Sequence, residues 1–153
     1  MEQCTPTELA LPVTAGHGPG CLAAGKAWEA GVADCDAFIW ISPEYHSAMT
    51  GGIKNLFDYL GKEALRGDVV GLCALAGGAM AALNTLNNMS MVARSLGAWV
   101  APDYCAYNSN EVKNGLDEAS VKRLEALCLS VIDASRRLRA PLPPDIQAFD
   151  LSG

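Results

Sequence analysis

Apolar and polar positions along the chain follow two periods, one typical of strands and the other typical of amphipathic helices. Short apolar runs predict strands buried on both faces at 37–42, 69–75 and 98–100. Apolar residues spaced three and four apart predict helices over 20–33, 51–60 and 117–139, and another that opens at Gly77-Gly78 and ends before Gly97. Helices that alternate with short strands indicate an α/β protein with a parallel sheet.

Prolines mark the predicted ends of two strands. Pro43 has no N–H to give to a sheet ladder, so the first strand is expected to end at Ser42-Pro43. Pro102 likewise closes the third strand, and residues 104–114 are expected to be irregular. The first helix is predicted although it contains Gly25, and glycine is a weak helix former.

Each predicted helix carries one apolar face. In chain order the faces are Cys21, Ala24, Trp28 and Val32; Ile53, Leu56, Phe57 and Leu60; Leu86, Met89, Ala93 and Leu96; and Val121, Leu124, Cys128, Val131, Ser135 and Leu138. On the polar side of the second helix, Lys54 and Asp58 form an i,i+4 pair. The last helix ends in Arg136, Arg137 and Arg139, which complement the helix dipole, so a solvated cap is favoured over an anion site.

Length and composition are those of one globular domain, expected over residues 1–140, with a loose tail at 141–153. Half of the 153 residues are hydrophobic, and the net charge of −6 disfavours nucleic acid as a partner. No apolar run approaches the ~20 residues that cross a bilayer. No basic segment followed by an apolar stretch opens the chain. We therefore expect a cytoplasmic protein without a membrane partner.

Six cysteines and one histidine among glycines are further candidates for side-chain chemistry. The cysteines form no CxxC pair, and no histidine lies at zinc-ligand spacing, so reduced and mostly buried thiols are expected. A thiol-bound metal is the alternative use of these residues. His17 lies in a glycine-rich loop, where a solvated histidine is expected rather than a ligand or a base.

Two loops follow the first two predicted strands, at the edge where open α/β sheets bind ligands. The first contains Pro43-Glu44-Tyr45-His46, and the second contains Ala76-Gly77-Gly78, whose glycines let backbone approach a ligand closely. Each loop also has a structural interpretation, as an ordinary turn after a strand or as a strand-to-helix turn. Glu44 is equally compatible with a structural bond to a backbone amide.

The register of Pro43-Glu44-Tyr45-His46, a glycine at 51 or 52, and Lys54-Asn55-Leu56-Phe57-Asp58-Tyr59-Leu60 resembles the signature of the NADPH-dependent FMN reductase family. The resemblance extends to about residue 130 and implies a flavodoxin-like fold, a three-layer sandwich around a parallel sheet. It implies an oxidoreductase with FMN as cofactor and NADPH or NADH as hydride donor. Flavin, quinone, azo or metal-oxyanion acceptors and a homodimer or homotetramer are implied as well.

In this resemblance, main-chain groups hold the flavin and no catalytic side chain is expected. The loop Pro43-Glu44-Tyr45-His46 would lie along the ring. Amides of Glu44, Tyr45 and His46 would contact the ring or its ribityl chain, and Tyr45 would pack close to the ring. The amides of Ala76, Gly77 and Gly78 would meet the pyrimidine edge and favour negative charge there.

One part of the family pattern is missing from the sequence, namely a first strand with a Gly-Ser-x-Arg-x-x-Ser phosphate loop. The chain has no Gly-Ser pair and no arginine before Arg66. Losing three charge-assisted hydrogen bonds to phosphate would cost roughly 4–9 kcal/mol, or about three to six decades of affinity. Strand 37–42 would also become a bare edge. The expected fold is therefore N-terminally truncated.

Three explanations of this gap remain open. The sequence is a fragment of a longer reductase, which is preferred, or a degenerate relative, or another chain supplies the strand. A degenerate relative would bind FMN weakly or not at all and would self-associate, which is the alternative to oxidoreductase function.

Overall fold

In the computed structural model, which describes residues 23–78 and 82–141, a four-stranded sheet lies between two layers of helices. In chain order the elements are α1 (Ala23–Ala33), β1 (Ala37–Tyr45), β2 (Ala48–Met49), α2 (Gly51–Asp58), β3 (Val69–Ala76), α3 (Leu83–Ser95), β4 (Trp99–Asn108), α4 (Ser109–Lys113) and α5 (Glu118–Leu138). The strand order is β2-β1-β3-β4. β1, β3 and β4 are parallel, as predicted, whereas the two residues of β2 run antiparallel to β1.

Alternate residues of the central strand β3 build a separate core on each face of the sheet. Val70, Leu72 and Ala74 pack with apolar residues of α1, α2 and α3. Val69 and Cys73 pack on the other face with the apolar side of α5. Helices on both faces confirm the predicted three-layer arrangement.

The helix faces predicted from the spacing of apolar residues are largely the faces that the structure buries. Leu127 of α5 was missed, although it is only 1% exposed, while Val121 and Leu138 are 39% and 44% exposed. The contact stripe of α5 is therefore rotated slightly from the predicted one. The predicted members that are buried are Val32, Leu56, Phe57, Leu60, Leu86, Met89, Ala93, Leu96, Val131 and Ser135.

Both strand ends predicted from proline are wrong. β1 continues through Pro43, which lies opposite Leu75, and β4 continues through Pro102 to Asn108. Both strands lie at or near an edge of the described sheet, where a missing N–H leaves few ladder bonds unmade. The register of β4 also shifts beside residues 70–72 of β3, so Pro102 falls in an irregular stretch of the ladder.

Two glycines permit close contacts that no periodic pattern reveals. A Cβ at Gly25 would lie 2.5 Å from the ring of Tyr59. A Cβ at Gly71 would lie 2.6 Å from Val131 and 2.8 Å from Ile39. Gly25, which weakens the helix on propensity alone, therefore allows α1 to approach the end of α2, and Gly71 allows α5 to approach β3.

The amino-terminal ends of β1 and β3 are joined to the end of α5 by an ion-pair cluster. Arg139 Nη2 lies 2.7 Å from Asp36 Oδ1 and 2.8 Å from Asp68 Oδ1. Burial, partly offset by the hydrogen bond from Arg139, raises the pKa of the Asp68 carboxyl. Arg139 is the C-cap residue of α5 and stays exposed, as predicted for a solvated cap, and its ion pairs additionally link three elements.

Some predictions concern residues outside the described ranges. These are His17, Cys4, Cys21, the side chain of Ala24, and the tail beyond residue 141. Within 23–78 and 82–141, none of the helices combines the length and apolar character that a bilayer crossing needs.

We predict that Gly71→Ala lowers the free energy of unfolding by about 1–3 kcal/mol, the range for an overpacked core. The new methyl group would overlap Val131 and Ile39. Gly31→Ala is the matched control, because none of the described part of the chain comes within 4 Å of a Cβ there. Alanine within α1 should add about 0.5–1 kcal/mol. Urea unfolding compares the variants, and equal stabilities would contradict the packing described for Gly71.

Candidate functional site

The carboxyl ends of β1 and β3 lie side by side and bring the two predicted loops to one edge of the sheet. Backbone register between the strands runs to Pro43 opposite Leu75. One residue further, Glu44 Oε2 accepts a hydrogen bond from Thr85 N, in the first turn of α3, at 3.0 Å. The carboxyl end of β1 is therefore joined directly to the helix that follows Ala76-Gly77-Gly78.

The segment Pro43-Glu44-Tyr45-His46 is part of a β-hairpin. Tyr45 pairs with Ala48, which leaves His46 and Ser47 as a two-residue turn. Both turn residues have positive φ, 52° and 65°, as in the type I′ turns that favour Asn and Gly. His46 is exposed and Tyr45 is 63% exposed, so the tip of the hairpin presents its side chains to solvent.

Two hydroxyl groups fix the base of this hairpin. Ser42 is fully buried, and its Oγ accepts from Thr50 N at 3.1 Å and donates to Pro43 O at 2.9 Å. Thr50 is the N-cap of α2, and its Oγ1 accepts from Ile53 N at 3.3 Å. The polar side chains at the base are therefore engaged with backbone, and they connect β1 to α2.

The second loop exposes main chain. Ala76 ends β3 and is buried, whereas Gly77 and Gly78 are exposed. Among the residues that the structure describes, a Cβ at Gly78 would meet nothing within 4 Å, and one at Gly77 would lie 3.5 Å from Ser109 Oγ. These glycines are thus not required by tight internal packing. Residues 79–81, which lead on to α3, lie outside the described part of the chain.

The end of β4 also lies at this edge, and the sequence analysis missed it. Asn108 lies opposite Ala76, and its Oδ1 accepts from Asn110 N at 2.9 Å as the N-cap of α4. Glu111 Oε2 accepts from Asn108 N at 3.2 Å, which completes a capping box. The sequence signal was present, an asparagine followed three positions later by glutamate, but the strand end assumed at Pro102 concealed it.

The side-chain chemistry of the described residues is mainly structural. The contact with Thr85 N confirms the structural interpretation of Glu44. Cys73 and Cys105 are buried free thiols, and burial, with smaller effects of Cys105 and Cys128, raises the pKa of Cys73 to about 12. Across the described ranges, no three His, Cys, Asp or Glu side chains are grouped so that they could hold a metal ion.

Ser47→Gly should raise the free energy of unfolding by about 0.5–1 kcal/mol. Glycine removes the cost of left-handed backbone, about 1–2 kcal/mol for other residues, but adds freedom to the unfolded chain. The comparison variant is Ser47→Val, whose branched side chain should lower stability by about 1–2 kcal/mol. Identical thermal unfolding midpoints for the two variants would contradict the turn geometry.

Sequence comparisons place both loops within one family match. The family model described as NADPH-dependent FMN reductase matches residues 6–112. The chain is 34% identical over 80 residues to an NADPH azoreductase of Bacillus sp. (strain OY1-2), which covers 52% of this chain and 45% of the relative. It is 33% identical over 104 residues to an NAD(P)H-dependent FAD/FMN reductase of Geobacillus thermodenitrificans (strain NG80-2), with 66% and 55% covered. The chain thus spans about half the length of the curated relatives it matches.

Structural comparison agrees on the fold. The apo form of an NADH:FMN oxidoreductase has a TM-score of 0.65 to this structure at 18% identity, over 93% of this chain and 70% of the other. A likeness at this identity concerns the fold alone. Together with the order of the parallel strands, it confirms the predicted flavodoxin-like class.

Proposed function

The chain belongs to the NADPH-dependent FMN reductase family, and from this premise we propose that it is a flavin-dependent oxidoreductase or a part of one. When bound, FMN supplies the redox chemistry, taking a hydride from NADPH or NADH and passing electrons to an acceptor. The protein's part is to bind the ring and leave one face open. The observation that carries the proposal is the meeting of the hairpin and the glycine loop at one edge of the sheet.

The residues at this edge fit the ring portion of FMN. Gly77 and Gly78 are exposed, a Cβ at Gly78 would have open space among the described residues, and Tyr45 offers an exposed aromatic ring. The Glu44 carboxylate is engaged with an amide, so it is not positioned to act as a proton donor or acceptor toward a ligand. We assign the ring contacts to main-chain groups of Pro43, Glu44, Tyr45, His46, Ala76, Gly77 and Gly78.

The phosphate of FMN has no assigned partner in this proposal. The sequence contains no Gly-Ser-x-Arg-x-x-Ser segment, and we place none of the described residues at the phosphate. Ring contacts alone would give an affinity well below that of a complete site, because charge-assisted bonds to phosphate are among the strongest in such sites.

The electron acceptor is proposed at the level of chemical class. The names of the two relatives support azo compounds and free flavins, and quinones and metal oxyanions complete the proposed range. The free state of Cys35, Cys73, Cys105 and Cys128 supports a cytoplasmic location. We further propose a homodimer or homotetramer as the working form.

A self-associating relative without flavin is the second candidate, and one observation favours it. In the described residues, β1 pairs with β3 along one side, but on its other side it pairs only with β2, through Glu44 and Tyr45. Ile41, near this open side, is 50% exposed. An open strand edge with an exposed apolar residue can pair with a second copy. Sedimentation of the full chain as a monomer would argue against this candidate.

Titration of the chain with flavin tests the first proposal. The fluorescence of FMN should be quenched saturably as protein is added. The affinity for riboflavin should lie within about tenfold of that for FMN, because no phosphate site is assigned here. A complete phosphate site would favour FMN over riboflavin by about three to six decades of affinity. No quenching of either flavin at high micromolar protein would contradict flavin binding by this chain. A preference for FMN of several decades would contradict the statement that phosphate lacks a strong site.

Gly78→Val should weaken riboflavin binding by about tenfold or more, equivalent to ~1.4 kcal/mol, because the side chain would enter the space proposed for the ring. Stability should change little, as no atom of the described ranges 23–78 and 82–141 lies within 4 Å of that Cβ. Gly31→Ala serves as the control, since it also has open space but lies in α1. If Gly78→Val binds riboflavin with wild-type affinity, the loop is a simple strand-to-helix turn and not part of a flavin site.

A further inference from the structure

The helix α3 begins without the side-chain cap that helices usually have. Its N-cap is Ala82, which makes no side-chain hydrogen bond, and its first turn contains no acidic residue. Ser, Thr, Asp and Asn are preferred at this position because their oxygen atoms accept from the amides at N2 or N3. Ala82 also has a φ of 57°, a left-handed conformation that is strained for any residue with a side chain.

A carboxylate from another element takes the place of the missing cap. Thr85 N, at the third position of α3, donates to Glu44 Oε2 at 3.0 Å, across 41 positions in sequence. A negative group at this end of a helix also faces the positive end of the helix dipole. The N-terminal turn of α3 is thus stabilised by the hairpin rather than by its own sequence.

We infer that Glu44 is a positioning residue that caps α3 from β1 and so fixes the hairpin and the start of α3 relative to each other. Backbone register between β1 and β3 ends at Pro43 and Leu75, so this bond extends the connection beyond the last paired residues. The inference rests on the proposed function only where it concerns flavin binding.

Apolar packing makes the two segments respond together. Met49, which pairs with Glu44 in the hairpin, is 6% exposed and belongs to the same core cluster as Leu86 and Met89 of α3. The hairpin is therefore linked to α3 by the hydrogen bond to Glu44 and by the apolar cluster that Met49 shares with that helix. Removing the polar contact should loosen both the hairpin and the first turn of α3.

The consequence for a ligand is preorganisation. The proposed ring contacts come from two separate segments, at the carboxyl ends of β1 and β3. A ligand that contacts both segments loses affinity to the cost of ordering them unless the protein already holds them in place. Glu44 would then affect affinity without its side chain touching the ring. Glutamine at this position keeps an oxygen acceptor for Thr85 N and should preserve much of the effect.

The test compares Glu44→Ala, Glu44→Gln and wild type in the full chain. Glu118→Ala is the matched control, because Glu118 is an acidic residue in the first turn of α5, far along the chain from both loops. Amide hydrogen exchange is followed at 44–49 and at 83–86, and riboflavin affinity is measured by fluorescence quenching. We expect Glu44→Ala to raise exchange at both segments and to weaken riboflavin about tenfold, with Glu44→Gln within about threefold of wild type.

Several results would overturn the inference. Unchanged exchange in Glu44→Ala would show that the contact fixes nothing, and faster exchange in α3 alone would reduce Glu44 to a local cap. If amide exchange rises in both segments but riboflavin affinity stays at the wild-type value, Glu44 has no positioning role in flavin binding. If wild type binds no flavin, the proposed function fails, while joint loosening of the hairpin and α3 still decides whether Glu44 couples them.

Discussion

Burial of β3 on both faces is the constraint on which the geometry of the site depends. Val69–Ala76 pairs with a parallel strand on each side and is covered by α1, α2 and α3 on one face and by α5 on the other. A register slip by one residue would exchange the side chains of its two cores, so register is strongly specified. Because β1, β3 and β4 are parallel, their carboxyl ends are held together at one edge, where both loops begin.

The two ends of the sheet are closed by different kinds of polar contact. At the amino-terminal ends, Arg139 bridges the exposed Asp36 and the buried Asp68, and because two of the three side chains are exposed these ion pairs add little stability. At the carboxyl ends, Ser42 Oγ accepts a hydrogen bond from Thr50 N and Glu44 Oε2 accepts one from Thr85 N, and these two bonds hold the hairpin to α2 and α3. These contacts engage side chains with backbone and leave exposed main chain at the glycines, as suits a cofactor that carries its own chemistry.

The chain belongs to the NADPH-dependent FMN reductase family and has a flavodoxin-like fold, whereas its activity is a proposal that rests on part of a flavin site. Because a flavodoxin-like fold hosts many functions, the proposed function depends on the two loops rather than on the sheet. The hairpin and glycine loop are proposed to contact the ring portion of FMN. The loops themselves remain predictions as a flavin site, and the phosphate is unassigned.

Periodic patterns in the sequence determined the long helices and the central strand, because an apolar stripe must be buried wherever it occurs, and the family resemblance supplied the three-layer order. The family signature over 43–60 located the loop that the structure places at the sheet edge. Predictions from local sequence failed where contacts with residues distant in the sequence decide the structure. Pro43 and Pro102 are tolerated because of where their strands lie in the sheet, Gly25 is needed because of Tyr59, and Arg139 is paired because of Asp36 and Asp68. The bond from Thr85 to Glu44 is of the same kind: it spans 41 positions and exists only because parallel pairing brings two strand ends together.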